Sequence, residues 1–293
     1  MKKVIGILAL FSLVMGLIAP PAFACYGVRA MGMGGAFIAV ADDVNTVYWN
    51  PAGLSNIKAT EIGLQHMTNN RDSLNYIDVI EYVTPLKKGV SGIGFHYTNN
   101  RDTDYFGISS DIGFANYKSK WFTLSYGTKV TDNFAVGINV RQVKDSASEE
   151  MINGVGQSKS YSASNTGIDL GFLGTAGKWS YGMLVQDANK PKALFGRDEM
   201  ERNYRPGIAY RPDNKTIIAA DVYNAKPTEG SETEYSIGVE HKLSNAVRAR
   251  IGNYHGAMTY GAGVKIDKNI ELNMAYLSGK LGGTTLIGLQ AKY

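Results

Sequence analysis

The side chains with chemical potential are spread along the chain rather than gathered in one motif. His66, His96, His241 and His255 are too scattered to form a metal site by spacing, and no cofactor is implied. His241 with Ser236 or Ser244 has the residue types of a base and a nucleophile, but the spacing fits a hydrolase poorly, so the chain is not read as an enzyme. Asp102-x-Asp104 offers calcium two carboxylates where a loop site uses six or more oxygens. Gly32-x-Gly34-Gly35 lacks the spacing and the preceding strand of a dinucleotide fingerprint. What remains is a set of charges on alternate positions: Lys129, Arg141, Asp169, Arg205, Asp221, Glu240, Lys242, Arg248, Arg250, Lys265 and Glu271. Such a set can pair internally, or its cations can meet an anionic head group.

The elements that position these charges read as strands. After about residue 58 there are fourteen segments of roughly ten residues with apolar/polar alternation. In 134–141, Phe134, Val136, Ile138 and Val140 oppose Ala135, Gly137, Asn139 and Arg141. In 235–243, Tyr235, Ile237, Val239 and Leu243 oppose Ser236, Gly238, Glu240 and Lys242. The pattern continues through 247–254, 258–266 and 270–276. Every second connection is tight, as at Lys87-Lys88-Gly89, Thr131-Asp132-Asn133 and Asp267-Lys268-Asn269, while 99–120, 145–162, 187–203 and 224–232 are longer and more polar. Loop length sorted by parity is the mark of a transmembrane β-barrel, with short turns on one side and longer loops on the other. In hydrocarbon only a closed sheet satisfies its own backbone, so the oily face belongs outside. The first three strands (59–69, 75–85, 90–98) alternate less cleanly: Asp78 and Glu81 fall on opposite faces, which implies an outward acid or a bulge.

The ends of the chain agree. Lys2, Lys3, the apolar Val4–Ile18 and Ala22-Phe23-Ala24 read as a secretory signal over 1–24, leaving Cys25 at a position that lipidated cysteines also occupy. Without Lys2 and Lys3, 28 basic residues face 26 acidic ones, a formal +2 that argues against nucleic acid as a partner. The final segment puts Thr285, Ile287, Leu289, Ala291 and Tyr293 on one face and ends on an aromatic, like the signal read by the barrel-assembly machinery. His66-Met-Thr-Asn-Asn-Arg-Asp72 recurs as His96-Tyr-Thr-Asn-Asn-Arg-Asp102. The repeat reads as hairpin duplication, or as paired sites for lipopolysaccharide phosphates through Arg71 and Arg101.

Residues 25–57 do not alternate. They are Gly-rich and apolar, with turn formers at Asp42-Asp43 and Asn50-Pro51, and Ala36–Val40 suits one helical turn or a short strand. Such a segment fits inside a fourteen-strand barrel, which is too wide for wall side chains to fill. The run Arg29-Ala30-Met31-Gly32-Met33-Gly34-Gly35-Ala36-Phe37, through Ala41-Asp42-Asp43, to Asn50-Pro51-Ala52-Gly53-Leu54 resembles the start of FadL/TodX-type outer-membrane transport proteins and their PorV-type relatives. The resemblance implies an all-β fold: a fourteen-stranded antiparallel barrel over 58–293 in the bacterial outer membrane, with 25–57 as a hatch. It implies passive uptake of a hydrophobic or amphipathic small molecule, of long-chain fatty acid or aromatic type. Gly34, Gly35, Asn50, Pro51 and Ala52 would shape the hatch, and Phe37, Tyr48 and Trp49 would contact ligand. Arg141, Arg248 and Arg250 would orient a head group or anchor the hatch. An acyl pocket should be mostly apolar, and on the strands no apolar inward set is visible. The alternative is a non-transporting PorV-type barrel that docks partner proteins; a polar porin is a third reading.

Overall fold

A computed structural model describes residues 26–69, 72–108, 111–151, 159–192, 200–227, 232–279 and 283–293. The signal segment and Cys25 lie outside the described residues, as do Arg71 and parts of the connections 145–162, 187–203, 224–232 and 279–283.

Fourteen antiparallel strands close into a barrel, each paired with its sequence neighbour, and β1 (Glu61–Asn69) pairs with β14 (Thr284–Lys292). The others are β2 (Asp72–Lys87), β3 (Ser91–Ile108), β4 (Asp111–Thr131), β5 (Phe134–Met151), β6 (Lys159–Ala176), β7 (Trp179–Gln186), β8 (Asn203–Tyr210), β9 (Thr216–Tyr223), β10 (Glu234–Lys242), β11 (Val247–Tyr254), β12 (Ala257–Lys265) and β13 (Ile270–Leu277). Closure leaves no free edge, which a sheet in lipid requires. The alternating faces separate as read: Ile237, Ile251, Tyr260, Met274 and Leu289 are exposed outside, while Glu240, Arg250, Asn273 and Gln290 are buried inside.

One expectation is corrected and one alternative is decided. The described parts of 99–120 and 145–162 are not loops. β3 and β4 stay paired to Ile108↔Asp111, and β5 and β6 to Glu149↔Lys159. These segments are polar because they carry the wall past the apolar belt, not because they leave the sheet. At 18 to 21 residues, β3–β6 are about twice the ~10 residues that cross a bilayer. Second, the β1–β2 register runs unbroken from Glu61↔Val83 to Thr68↔Tyr76, so no bulge separates Asp78 from Glu81. Asp78 is the outward acid, with its side chain 48% exposed and paired to outward His66 at 2.8 Å.

Candidate functional site: the lumen and its inner segment

The lumen is occupied by residues 26–57. Short helices α1 (Val28–Gly32) and α2 (Thr46–Trp49) and a 3-10 turn over Pro51–Asn56 account for part of it. Ala36–Val40 is neither helix nor strand but a turn, closed by Val40 N–H to the Phe37 carbonyl at 3.1 Å. The segment touches strands all round the ring. Val28 meets Gly288 on β14, Gly32 meets Gly261 on β12, Met33 meets Gly238 on β10, Ile38 meets Gly182 on β7, and Pro51 meets Gly137 on β5. A segment with such contacts on a closed ring lies within it. At each of these points the wall residue is a glycine. A Cβ on Gly137 would stand 2.3 Å from the Pro51 carbonyl carbon, and one on Gly238 would stand 2.0 Å from the Met33 oxygen.

The glycines and Asn50-Pro51-Ala52 set the path of this segment. Gly34 has φ +65°, and any Cβ there would lie 2.5 Å from the Ile237 carbonyl, so both backbone and space demand glycine. Gly35 has φ +70° against the Tyr254 ring. Asn50 donates to the carbonyls of Ile38 and of Phe172 on β6, both at 2.9 Å, and its Oδ1 accepts from Ala52 N–H at 3.1 Å. It thereby caps the 3-10 turn and ties two stretches of the segment to the wall. Pro51 occupies the first position of that turn, where its missing N–H costs nothing.

Charge fixes the other side. Arg29 on α1 donates to Asp42 at 2.6 Å, Asp43 at 2.9 Å and Glu240 on β10 at 2.8 Å. Burial alone would lower the Arg29 pKa, but Asp42, Glu240 and Asp43 raise it well above the ordinary value. Burial likewise works against ionising Asp43, yet Arg29 outweighs it and holds that carboxyl below the usual range. Asp221 on β9 accepts from the backbone N–H groups of Phe37 and Ile38 at 2.6 and 2.8 Å, and Glu61 accepts from Val44 N–H at 3.1 Å. Arg29, Asp43, Glu61 and Glu81 had no place among the expected site residues. For Arg29 the one available signal was a lone arginine opening an otherwise apolar run.

The three expected head-group arginines do not converge. Arg141 lies on β5, pairs with Asp169 at 3.4 Å and with Asp187, and stacks over Trp121 with 5.0 Å to the ring centre. Arg250 lies on β11 across the ring, 2.6 Å from Glu240, while neighbouring Arg248 pairs with Glu271. The three aromatics do assemble: Tyr48 is 5.4 Å from Trp49 and Trp49 is 6.3 Å from Phe37. Phe37 and Trp49 are fully buried, whereas Tyr48 is partly open and joins Tyr26, His96 and Trp121.

The lumen is therefore two-tiered. At the tight-turn end lie cavities of about 410 and 560 Å³ that share Asp42, Arg211 and Lys292, the first lined by charged residues including Lys242, Arg248, Lys265 and Glu271. Towards the other end Met67, Ile77, Val79, Leu277 and Leu286 turn inward and pack with the aromatics of the inner segment. This corrects the expectation of no inward apolar set. Barrel closure makes Met67 the register partner of both Leu286 and Ile77, so these five residues of one cluster come from four neighbouring strands.

No family model matches the chain, and no curated protein is significantly similar to it. Solved structures are. The Pseudomonas putida toluene transporter TodX superposes with a TM-score of 0.72 at 14% identity, covering 92% of this chain and 98% of that one. The chain has the fold of the FadL/TodX-type barrels. The CymD monoaromatic hydrocarbon channel gives 0.70 at 12% identity over 93% of this chain and 98% of its own. A Pseudomonas aeruginosa FadL homologue gives 0.66 at 10% identity over 91% and 98%. At these identities the shared property is the FadL/TodX-type fold, and near-complete coverage of both partners means that it extends over the whole described architecture.

Proposed function

We propose that the protein is a bacterial outer-membrane channel for passive uptake of a hydrophobic or amphipathic small molecule, with residues 26–57 as its hatch. The observation that carries this reading is the two-tiered lumen of a FadL/TodX-type barrel: an apolar and aromatic tier, then the hatch, then a charged vestibule open at the tight-turn end. The fold's solved examples include a toluene transporter and a monoaromatic hydrocarbon channel, which favours a small aromatic ligand. The ligand enters at the long-strand end, lies against Tyr48 and Trp121, and leaves when the hatch yields. Phe37 and Trp49, fully covered, act only once it has moved. Proteoliposomes carrying the purified protein should take up labelled toluene or a long-chain fatty acid faster than empty liposomes. Rates equal to empty liposomes for both compounds would sink the reading.

The buried ion pair between hatch and wall, Arg29 with Glu240, favours a second reading, a permanently plugged barrel that docks partner proteins. It predicts no uptake even when Glu240, which holds the hatch, is neutralised.

A further inference from the structure

The outer face of β3–β5 carries a feature that uptake does not use. On β3 the outward residues run Phe95, Tyr97, Asn99, Arg101; on β4, Leu124, Phe122, Lys120, Lys118; on β5, Val140, Gln142, Lys144. Cation meets cation directly across the strands: Arg101 is the register partner of Lys118, and Lys120 of Lys144. Lys118, Lys120, Lys144 and Arg101 are all exposed. Like charges directly opposite each other destabilise a sheet, and among the described residues no ion pair relieves these four. The outward acid nearby, Asp78, is engaged by His66. Arg101 leans on the Tyr76 ring, 5.9 Å from its centre.

The height of the cluster matters. Tyr97 and Phe122 are register partners at the edge of the apolar belt, and Lys120 follows Phe122 by two residues, about 7 Å along the strand. An aromatic pair marks the boundary of hydrocarbon in a barrel, so the cations stand at head-group level on the end away from the tight turns. Their aliphatic stems can lie on the belt while their charges reach outward.

We infer that Arg101, Lys118, Lys120 and Lys144 form a binding site for the phosphates of an anionic membrane lipid. The lipid supplies the negative charge whose absence makes the two cross-strand pairs unfavourable. The inference rests on the belt facing lipid but not on transport, so a barrel that carries nothing would still bind.

The test is native mass spectrometry of the purified full chain in a zwitterionic detergent, titrated separately with phosphatidylglycerol, a bisphosphorylated glycolipid and phosphatidylcholine. The anionic lipids should be retained and phosphatidylcholine not. The double variant Lys120→Gln/Lys144→Gln should weaken anionic-lipid binding by about fivefold per cation removed, whereas Lys88→Gln in a tight turn should leave it unchanged. Thermal melting supplies a second arm that also reports folding. In neutral micelles the double variant should melt higher than the parent, because repulsion is relieved, and the parent should gain more from anionic lipid. Equal retention of phosphatidylcholine, unchanged binding by the double variant, or equal stabilisation by inorganic phosphate alone would each overturn the site.

Discussion

The inner segment is held differently on its two sides. Towards β3–β6, Pro51 and Leu54 lie against a glycine platform of Gly92, Gly127, Gly137 and Gly171, with Asn50 tied to β6. The fit there is steric and leaves no room. Towards β10–β12 the segment also meets glycines, Met33 at Gly238 and Gly32 at Gly261, but there α1 is held in addition through Arg29 to Glu240, which Arg250 also grips. Shape contacts are all or nothing, while ionic contacts can be weakened by protons or a competing anion. Only the Arg29 side depends on charge, so weakening that charge should loosen α1 before the Pro51 side.

The largest test of this difference is Gly137→Val. Its side chain would meet the Pro51 backbone, which cannot yield as a flexible side chain would, so the cost should exceed the ~1–3 kcal/mol typical of overpacking. The segment should be unseated, seen as a large persistent conductance in planar bilayers. A closed barrel in that variant would remove the steric anchor from the account. Glu240→Gln comes next. It strips Arg29 and Arg250 of a shared buried carboxylate, and breaking one partner of such a pair costs about 3–5 kcal/mol. Hydrogen exchange should quicken at Val28–Gly32 and stay slow at Pro51–Asn56. Equal acceleration at both would show that the two sides loosen together.

Asn50→Ala should cost about 1–3 kcal/mol, since it leaves buried groups of Ile38, Phe172 and Ala52 without their partner. Its exchange pattern should be the reverse, with protection lost first at Pro51–Asn56. The smallest effect is that of acid. The Asp43 carboxyl is held below its ordinary value in the folded state, so its contribution is fully present above the unfolded pKa of about 3.9 and is lost as pH falls through the lower folded value. The Arg29 side should hold at neutral and mildly acidic pH and loosen only below about pH 4, read as exchange at Val28–Gly32. Loosening near neutrality would assign the switch to another group.

The far half of the lumen shows how much a repeated motif leaves open. His66 and His96 open the same motif, yet they serve opposite sides of the wall. His66 faces out to Asp78, while His96 is buried, 3.0 Å from Glu81 and 2.6 Å from Thr98. Parity within each strand decides this, and parity was unreadable where alternation is poor. At the histidines, therefore, the two copies are not equivalent, and Arg71, which the paired-site reading also uses, lies outside the described residues. Arg141, Arg248 and Arg250 were legible as inward cations, but their carboxylate partners were not assigned. Asp187 follows β7, and Asp169 and Glu271 sit one or two strands away from the arginine each one meets.

By itself the sequence determined strand number, the inside and outside of most strands, and the exceptional character of residues 25–57. All of these follow from local period and loop length, which neighbouring residues impose on one another. Only the tertiary structure decided that polar stretches such as 99–108 and 111–120 remain sheet, that Met67 meets Leu286, and that Arg29 meets Glu240. Those contacts join residues more than two hundred positions apart, and ring closure together with the shape of the glycine-lined lumen brings them face to face.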